Sequence, residues 1–208
     1  MSGPMVRAIL DGRKSQTRRL VKFPPAPMKL GTWEPTTFGG PGTFLDKACT
    51  RPDDKPARTA MWHTRTGAAI ACPCGVPGDR LWVRETWSLK DHGNAAYRAD
   101  GEREFYKWHP SIFMPRWACR LVLEVTAVRV ERLQEISEAD AKAEGCKADG
   151  PGLFQFYFDG QESKSDTERT AYRHLWDSLN AKRAPWASNP WVWVVEFRTT
   201  SPAASAEG

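Results

Sequence analysis

Lys14-Ser15-Gln16-Thr17-Arg18-Arg19 crowds an amine, a threonine hydroxyl and two guanidinium groups into six residues, just past a helix stop at Gly12. A lysine acts as a base only where its surroundings disfavour the charged form, and the positive charges of Arg18 and Arg19 act in that direction. A threonine hydroxyl becomes a nucleophile beside such a base. The same residues equally describe a solvated basic strand that contacts phosphate. A second segment is needed before chemistry follows.

Ile136 to Gly145 is that segment. Ser137 followed by Asp140 has capping-box spacing, Ile136 can staple against Ala141, and Gly145 is a natural stop. The spacing predicts a short helix with Glu144 at its C-terminal end. There the helix dipole and unpaired carbonyls disfavour a negative charge, which suits a carboxyl for proton transfer near neutral pH. The plain alternative is an exposed glutamate on a polar helix.

The elements that must position these groups follow from periodicity. Gly3-Pro4 opens a first helix with Met5, Val6, Ile9 and Leu10 on one face, able to plug the end of a barrel, and Gly12 closes it and turns Lys14 outward. Lys14 and Thr17 are an odd number of positions apart, so their cooperation requires a turn or bulge between them. Arg80 to Trp87 reads as a strand whose one face carries Leu81, Val83, Glu85 and Trp87. Glu85 on that face implies either that the strand leaves the core near Arg84, or that Glu85 is buried with Lys14 or an arginine. An Arg84–Glu85 pair at a barrel mouth would suit the hydrogen-bonding edge of a base, with a structural salt bridge as the rival. Asp100-Gly101 marks a hairpin turn between 95–99 and 105–108. Arg120 to Leu133 is the longest strand, and its apolar phase shifts from Leu121, Leu123 and Val125 to Val128 and Val130, which implies a bulge. Ser165-x-x-Glu168 opens an amphipathic helix with Tyr172, Leu175, Trp176 and Leu179 inward. Trp191 to Phe197 is apolar on both sides and so central to a sheet, and 199–208 is a small-residue tail expected to be poorly ordered.

Two stretches interrupt this frame. From 23 to 75, prolines and glycines forbid long helices or central strands, and predict loops and short ribbons anchored by Trp33, Phe38, Phe44 and Trp62 that border the cleft. Cys49, His63, Cys72 and Cys74 lie there, but Cys72-Pro-Cys74 lacks the two-residue gap of a zinc site, so no metal is expected. From 146 to 165, Phe154, Phe156, Tyr157 and Phe158 stand in a loop bounded by glycines, suited to stacking on a base or to packing on the barrel.

With 40% hydrophobic residues and ten Trp, the 208-residue chain has a globular composition. The net charge of +5 fits a partner bearing phosphate. No apolar run reaches bilayer length, the start lacks a signal-peptide pattern, and five irregularly spaced cysteines suit a reducing compartment. These features point to a cytoplasmic chain with one domain over 1–198.

Taken together, Ile9-Leu10-Asp11-Gly12, Lys14-x-x-Thr17-x-Arg19, Gly78-Asp79 and Ser137 to Gly145 resemble the ASCH family of the PUA-like superfamily, of phage and bacterial type, over about half the chain. The segments GDRLWVRETW and NPWVWVVEF add to the likeness. The resemblance implies an α+β fold on a small, partly open β-barrel, with the two insertions as additions to the minimal family. It also implies an amidohydrolase acting on N4-acylated cytosine nucleosides without cofactor, as some members remove the acyl group of N4-acetylcytidine. Thr17 would be the nucleophile, Lys14 the base and Glu144 the proton donor. Arg19, Arg84 and Glu85 would border the cleft and hold the base or the carbonyl oxygen. The alternatives are a non-catalytic module binding RNA or a modified nucleotide, and a ribonuclease. A monomer is expected.

Overall fold

The computed structural model describes residues 2–24, 31–38, 57–90, 93–101, 107–148, 154–158, 161–165 and 167–200. Helix α1 (Gly3–Leu10) leads into strand β1 (Gln16–Leu20), followed by β2 (Trp33–Phe38), β3 (Arg58–His63) and β4 (Ala69–Ala71). Then come β5 (Arg80–Trp82), β6 (Trp87–Leu89), β7 (Ala95–Tyr97) and the long β8 (Val122–Arg132). Helix α2 (Glu138–Ala143), strands β9 (Lys147–Ala148), β10 (Phe154–Phe158) and β11 (Gln161–Ser165), helix α3 (Glu168–Asn180) and β12 (Trp191–Thr200) complete the chain. The architecture is mixed and strand-rich, built on a curled antiparallel half-barrel sheet ordered β1-β12-β8-β5.

Strand β12 is central because both of its faces are apolar. Val192 and Val194 pack with Tyr172, Leu175 and Trp176 of α3 and with Ile136 and Ala141 around α2. Trp193 and Val195 pack on the opposite face with Met61, Cys72 and Val125. Full burial of one such side chain is worth about 1.5–3 kcal/mol, so this strand anchors both layers. The phase shift in β8 is a bulge: Glu196 faces Ala127 but Phe197 faces Val125, leaving Thr126 unopposed. Val125 and Val128 therefore share one side of the sheet. Helix α1 closes an end of the curl, with Val6 and Ile9 against Val83, Leu121, Leu123 and Phe197. Val6 and Ile9 of the expected stripe are buried together with Ala8, while Leu10 is exposed.

Several expectations need correction. Arg80 to Trp87 is not one strand: β5 ends at Trp82 and β6 begins at Trp87. Between them the chain leaves the sheet and buries Glu85, whose backbone N–H meets the Met114 sulfur and whose carboxylate takes a two-pronged ion pair from Arg120. The expected hairpin between 95–99 and 105–108 lies partly outside the described residues. Among the described residues β7 pairs with β6, and Arg98–Asp100 forms a 3-10 turn held by Arg7 and Arg120. Helix α3 is capped by Thr167, which accepts from the Thr170 N–H, because Ser165 is consumed as the last residue of β11. Leu179 is exposed rather than inward. Thr199 and Thr200 continue β12 and are not tail; 201–208 lie outside the described residues.

The described part of 23–75 is a three-stranded sheet ordered β2-β3-β4 with Pro35 on its edge strand. Its buried anchors are Met61 and Cys72, and alternation along β3 sends Trp62 outward. Phe44 and Cys49 fall outside the described residues. The stretch 146–165 carries the sheet β11-β10-β9 rather than a loop, and the side chains of Phe154, Phe156, Tyr157 and Phe158 are outside what is described. No helix among the described residues is long and apolar enough to cross a membrane.

Candidate functional site

A cavity of about 290 Å³ lies along the edge of β1 that no described strand pairs with, its free edge, and is walled by α1, α3 and the end of α2. Lys14, Thr17, Arg18, Arg19, Glu144 and Tyr172 supply its polar lining, while Met5, Leu20, Leu175, Trp176 and Leu179 supply an apolar end. Lys14 does not point outward as the Gly12 stop suggested. Its N–H is held by the Ala8 carbonyl, Ser15 N–H is held by the Ala143 carbonyl, and Lys14 forms an isolated antiparallel bridge with Glu144. The chain is thus folded back beneath the end of α2, and Lys14 is 5% exposed.

The helix carrying Glu144 forms for the expected reason. Ser137 Oγ accepts from the Asp140 N–H at 3.1 Å, with Ile136 and Ala141 buried, and Gly145 ends the helix at φ +96°. A Cβ on Gly145 would meet the Ala8 and Lys14 Cβ atoms at 3.1 Å, so glycine is what lets the helix end approach Lys14.

All three protons of the Lys14 ammonium are engaged. They go to the Gln16 carbonyl at 2.7 Å, the Glu144 carbonyl at 2.8 Å and Glu144 Oε2 at 2.7 Å. Behind this pair sits Arg18, whose side chain is wholly buried and reaches Glu144 Oε1 at 3.5 Å, Glu131 Oε2 at 3.1 Å and Asp140 Oδ2 at 3.3 Å. Arg129 ties the same carboxylates together, contacting Glu131, Glu196 and Asp140. Burial would raise the Asp140 carboxyl, but the Ser137 hydrogen bond and the charges of Arg18 and Arg129 hold it below its ordinary range. Burial, followed by the Glu144 charge, pushes the Tyr172 phenol well above its usual value and the Cys146 thiol up to about 12.

Strand β1 contributes in two ways. Its side chains alternate, Gln16, Arg18 and Leu20 on one face and Thr17 and Arg19 on the other, and the cavity wraps the strand edge so that both sets line it. Phe197 N–H donates to the Ser15 carbonyl and Val21 N–H to Trp191, so the odd-numbered residues exchange hydrogen bonds with β12. The backbone N–H and C=O groups of Gln16, Arg18 and Leu20 therefore face the free edge; Gln16 uses its carbonyl on Lys14.

Lys14, Thr17, Arg19 and Glu144 thus meet at one cavity, despite a separation of 130 residues between Lys14 and Glu144. The Thr17 hydroxyl makes no hydrogen bond to a described residue, and none joins it to Lys14. Arg84 and Glu85 are elsewhere. The Arg84 guanidinium lies over the Trp82 ring at 4.6 Å and donates to the Ile112 carbonyl at 3.2 Å, and Glu85 is paired with Arg120. The described part of 23–75 supplies no lining residue; it covers the face of β12 opposite α3. His63 turns its Nδ1 to Thr66, and among the described residues no cluster of His, Cys, Asp or Glu is arranged to hold a metal. Arg18 and Tyr172 were missing from the sequence-based site. A charged residue whose β12 partner is the buried Val194 signals Arg18, whereas Tyr172 has the spacing of an ordinary core residue. No family model, curated protein or solved structure matches the chain.

Proposed function

We propose that this cavity hydrolyses the exocyclic amide of N4-acylated cytosine nucleosides on a PUA-like scaffold, with Thr17 as nucleophile, Lys14 as base and Glu144 as proton donor. The observation that carries the reading is the buried Lys14–Glu144 pair at 2.7 Å on a wall that Thr17 shares. Two charges held out of water cost several kcal/mol each unless well paired, which makes such a pair weak evidence for stability. Its chemistry is more informative. Moving one proton from Lys14 Nζ to Glu144 Oε2 changes no net charge and leaves an amine and a carboxylic acid, the two partners that amide cleavage requires. The amine takes the Thr17 proton as Oγ adds to the acyl carbon. The C–N bond then breaks with the electron pair on N4, which takes the Glu144 proton, and water releases the acyl group from Thr17 as a carboxylic acid. The cavity volume suits a nucleoside-sized ligand, at the small end of ligand pockets. The free backbone groups of Arg18 and Leu20 offer donors and acceptors to a pyrimidine edge, and Arg19 adds a positive charge at the rim.

A second reading, binding of RNA or a modified nucleotide without hydrolysis, is favoured by one observation: every Lys14 proton already has a protein acceptor, and none faces Thr17. A panel of N4-acylated cytidines and deoxycytidines, assayed for release of free cytosine nucleoside, separates the two. Hydrolysis by the wild type that disappears in Thr17→Ala, with ligand affinity kept, is the expected result. Full activity in Thr17→Ala, or none in the wild type, hands the site to the binding reading.

A further inference from the structure

Tyr172 sits in the second turn of α3 among Ile136, Leu175, Trp176 and Trp186, and is 3% exposed. Its ring is held between the Trp176 ring at 6.4 Å and the Trp186 ring at 6.5 Å, with the Arg18 guanidinium 5.8 Å from its centroid. Phenylalanine would satisfy that packing. What tyrosine adds is a hydroxyl, and this hydroxyl makes no hydrogen bond to any described residue. Nor is it sealed off: among the described residues the unpartnered side-chain atoms fully shut from solvent are Arg18 Nε and Trp87 Nε1. The Tyr172 oxygen therefore opens into the cavity that the residue lines. Buried polar groups ordinarily have partners, and one left open in a cavity wall calls for a ligand atom.

We propose that the Tyr172 hydroxyl is a catalytic residue of this site, donating its hydrogen bond to the acyl carbonyl oxygen of the bound amide. The assignment rests on the amidohydrolase reading. As the Thr17 Oγ–C bond forms, the C=O π pair moves onto that oxygen, and the Tyr172 O–H strengthens its hydrogen bond to the resulting oxyanion without giving up the proton. When the C–N bond breaks, the pair returns to re-form the carbonyl of the Thr17 ester. Burial and the nearby Glu144 charge keep the phenol protonated throughout the neutral range, as a donor must be. The rings of Trp176 and Trp186 fix its direction before substrate arrives, which is what makes such a donor effective.

Tyr172→Phe removes the hydroxyl alone. With N4-acetylcytidine as substrate, kcat should fall about 100-fold or more while KM changes less than about threefold, the magnitude of losing one oxyanion donor. Affinity for cytidine, which has no acyl oxygen, should be unchanged. Wild-type kcat in Tyr172→Phe overturns the assignment and leaves the amidohydrolase reading in place. A parallel loss of cytidine affinity also overturns it, by making Tyr172 a packing or base-holding residue. A wild type inactive on every N4-acylcytidine overturns both. Should Tyr172→Phe not fold, the Thr17→Ala protein decides: the Tyr172 Cζ resonance should shift on saturation with N4-acetylcytidine but not with cytidine, and equal shifts refute the proposal.

Discussion

Lys14 directs every proton it has at the backbone of β1 or at Glu144, so its charge and its position are set by the same three contacts. Lys14→Met would leave the 3%-exposed Glu144 facing Arg18 at 3.5 Å as its remaining cation, and should lower unfolding free energy by about 3–5 kcal/mol in denaturant melts. Glu144→Gln keeps size and one acceptor, so it should lose hydrolysis by 100-fold or more while melting closer to the wild type. An equal effect of both substitutions on stability and activity would argue for a purely structural pair. Gly145→Ala tests the approach of the helix end. The new Cβ meets the Ala8 and Lys14 Cβ atoms at 3.1 Å on a backbone at φ +96°, for a cost of about 1–3 kcal/mol, and kcat should fall because Lys14 is displaced. These residues were legible because their types and spacing are local. Glu85 was legible only as an anomaly, since nothing in the chain singles out Arg120 among its many arginines as the partner.

Helix α2 is only six residues long, and its stability is tied to its ends. Ser137→Ala removes the cap, which should cost about 1 kcal/mol. It also removes one of the contacts that outweigh burial at Asp140. A carboxyl held lower in the folded chain than in the unfolded one stabilises fully above the unfolded value of about 3.9, and that contribution is lost as pH falls through the folded value. The acid-unfolding midpoint of Ser137→Ala should therefore move to higher pH, as followed by circular dichroism; an unchanged midpoint would detach Ser137 from the charge network. Cap and stop residues located α2, and periodicity located α3, the bulge in β8 and the central strand β12. Such signals failed where two of them compete for one residue: Ser165 has capping spacing, yet pairing with Phe154 claims it for β11.

At the scale of the molecule, the buried Lys14–Glu144–Arg18 centre borders the cavity, and the other buried centre among the described residues, Glu85 with Arg120, does not. Breaking the other with Glu85→Gln leaves Arg120 paired with Asp100, so it should reduce stability by about 1–3 kcal/mol and leave kcat/KM of the folded protein unchanged, whereas a selective rise in KM would return Glu85 to the site. The sheet of β2, β3 and β4 likewise sits behind β12, where composition foretold short ribbons but placed them beside the cleft. It brings one reactive group near Arg19. The Cys72 thiol, by its hydrogen bond, pulls Cys74 down to about 6 against burial, with the Arg19 charge assisting, while Cys72 itself is pushed up. Iodoacetamide at pH 7 should thus label half-buried Cys74 before Cys72 or Cys146, with a rate that declines as pH drops below about 6. Equal labelling of the three, read by peptide mass, would contradict this.

Among the described residues, strand β1 has a single neighbour in its sheet, β12. The segment holding Lys14, Thr17 and Arg19 is therefore made early in synthesis and has no strand to lie against until about 170 residues later. At about 5–20 residues per second, this is a wait of roughly 10–35 s. During it the edge backbone and the Lys14 amine stand open to water and to chaperones, and the cavity does not exist. A polypeptide that stops before Trp191 holds every candidate site residue but lacks the strand that β1 pairs with. Assembly of the cavity is in this sense tied to completion of β12.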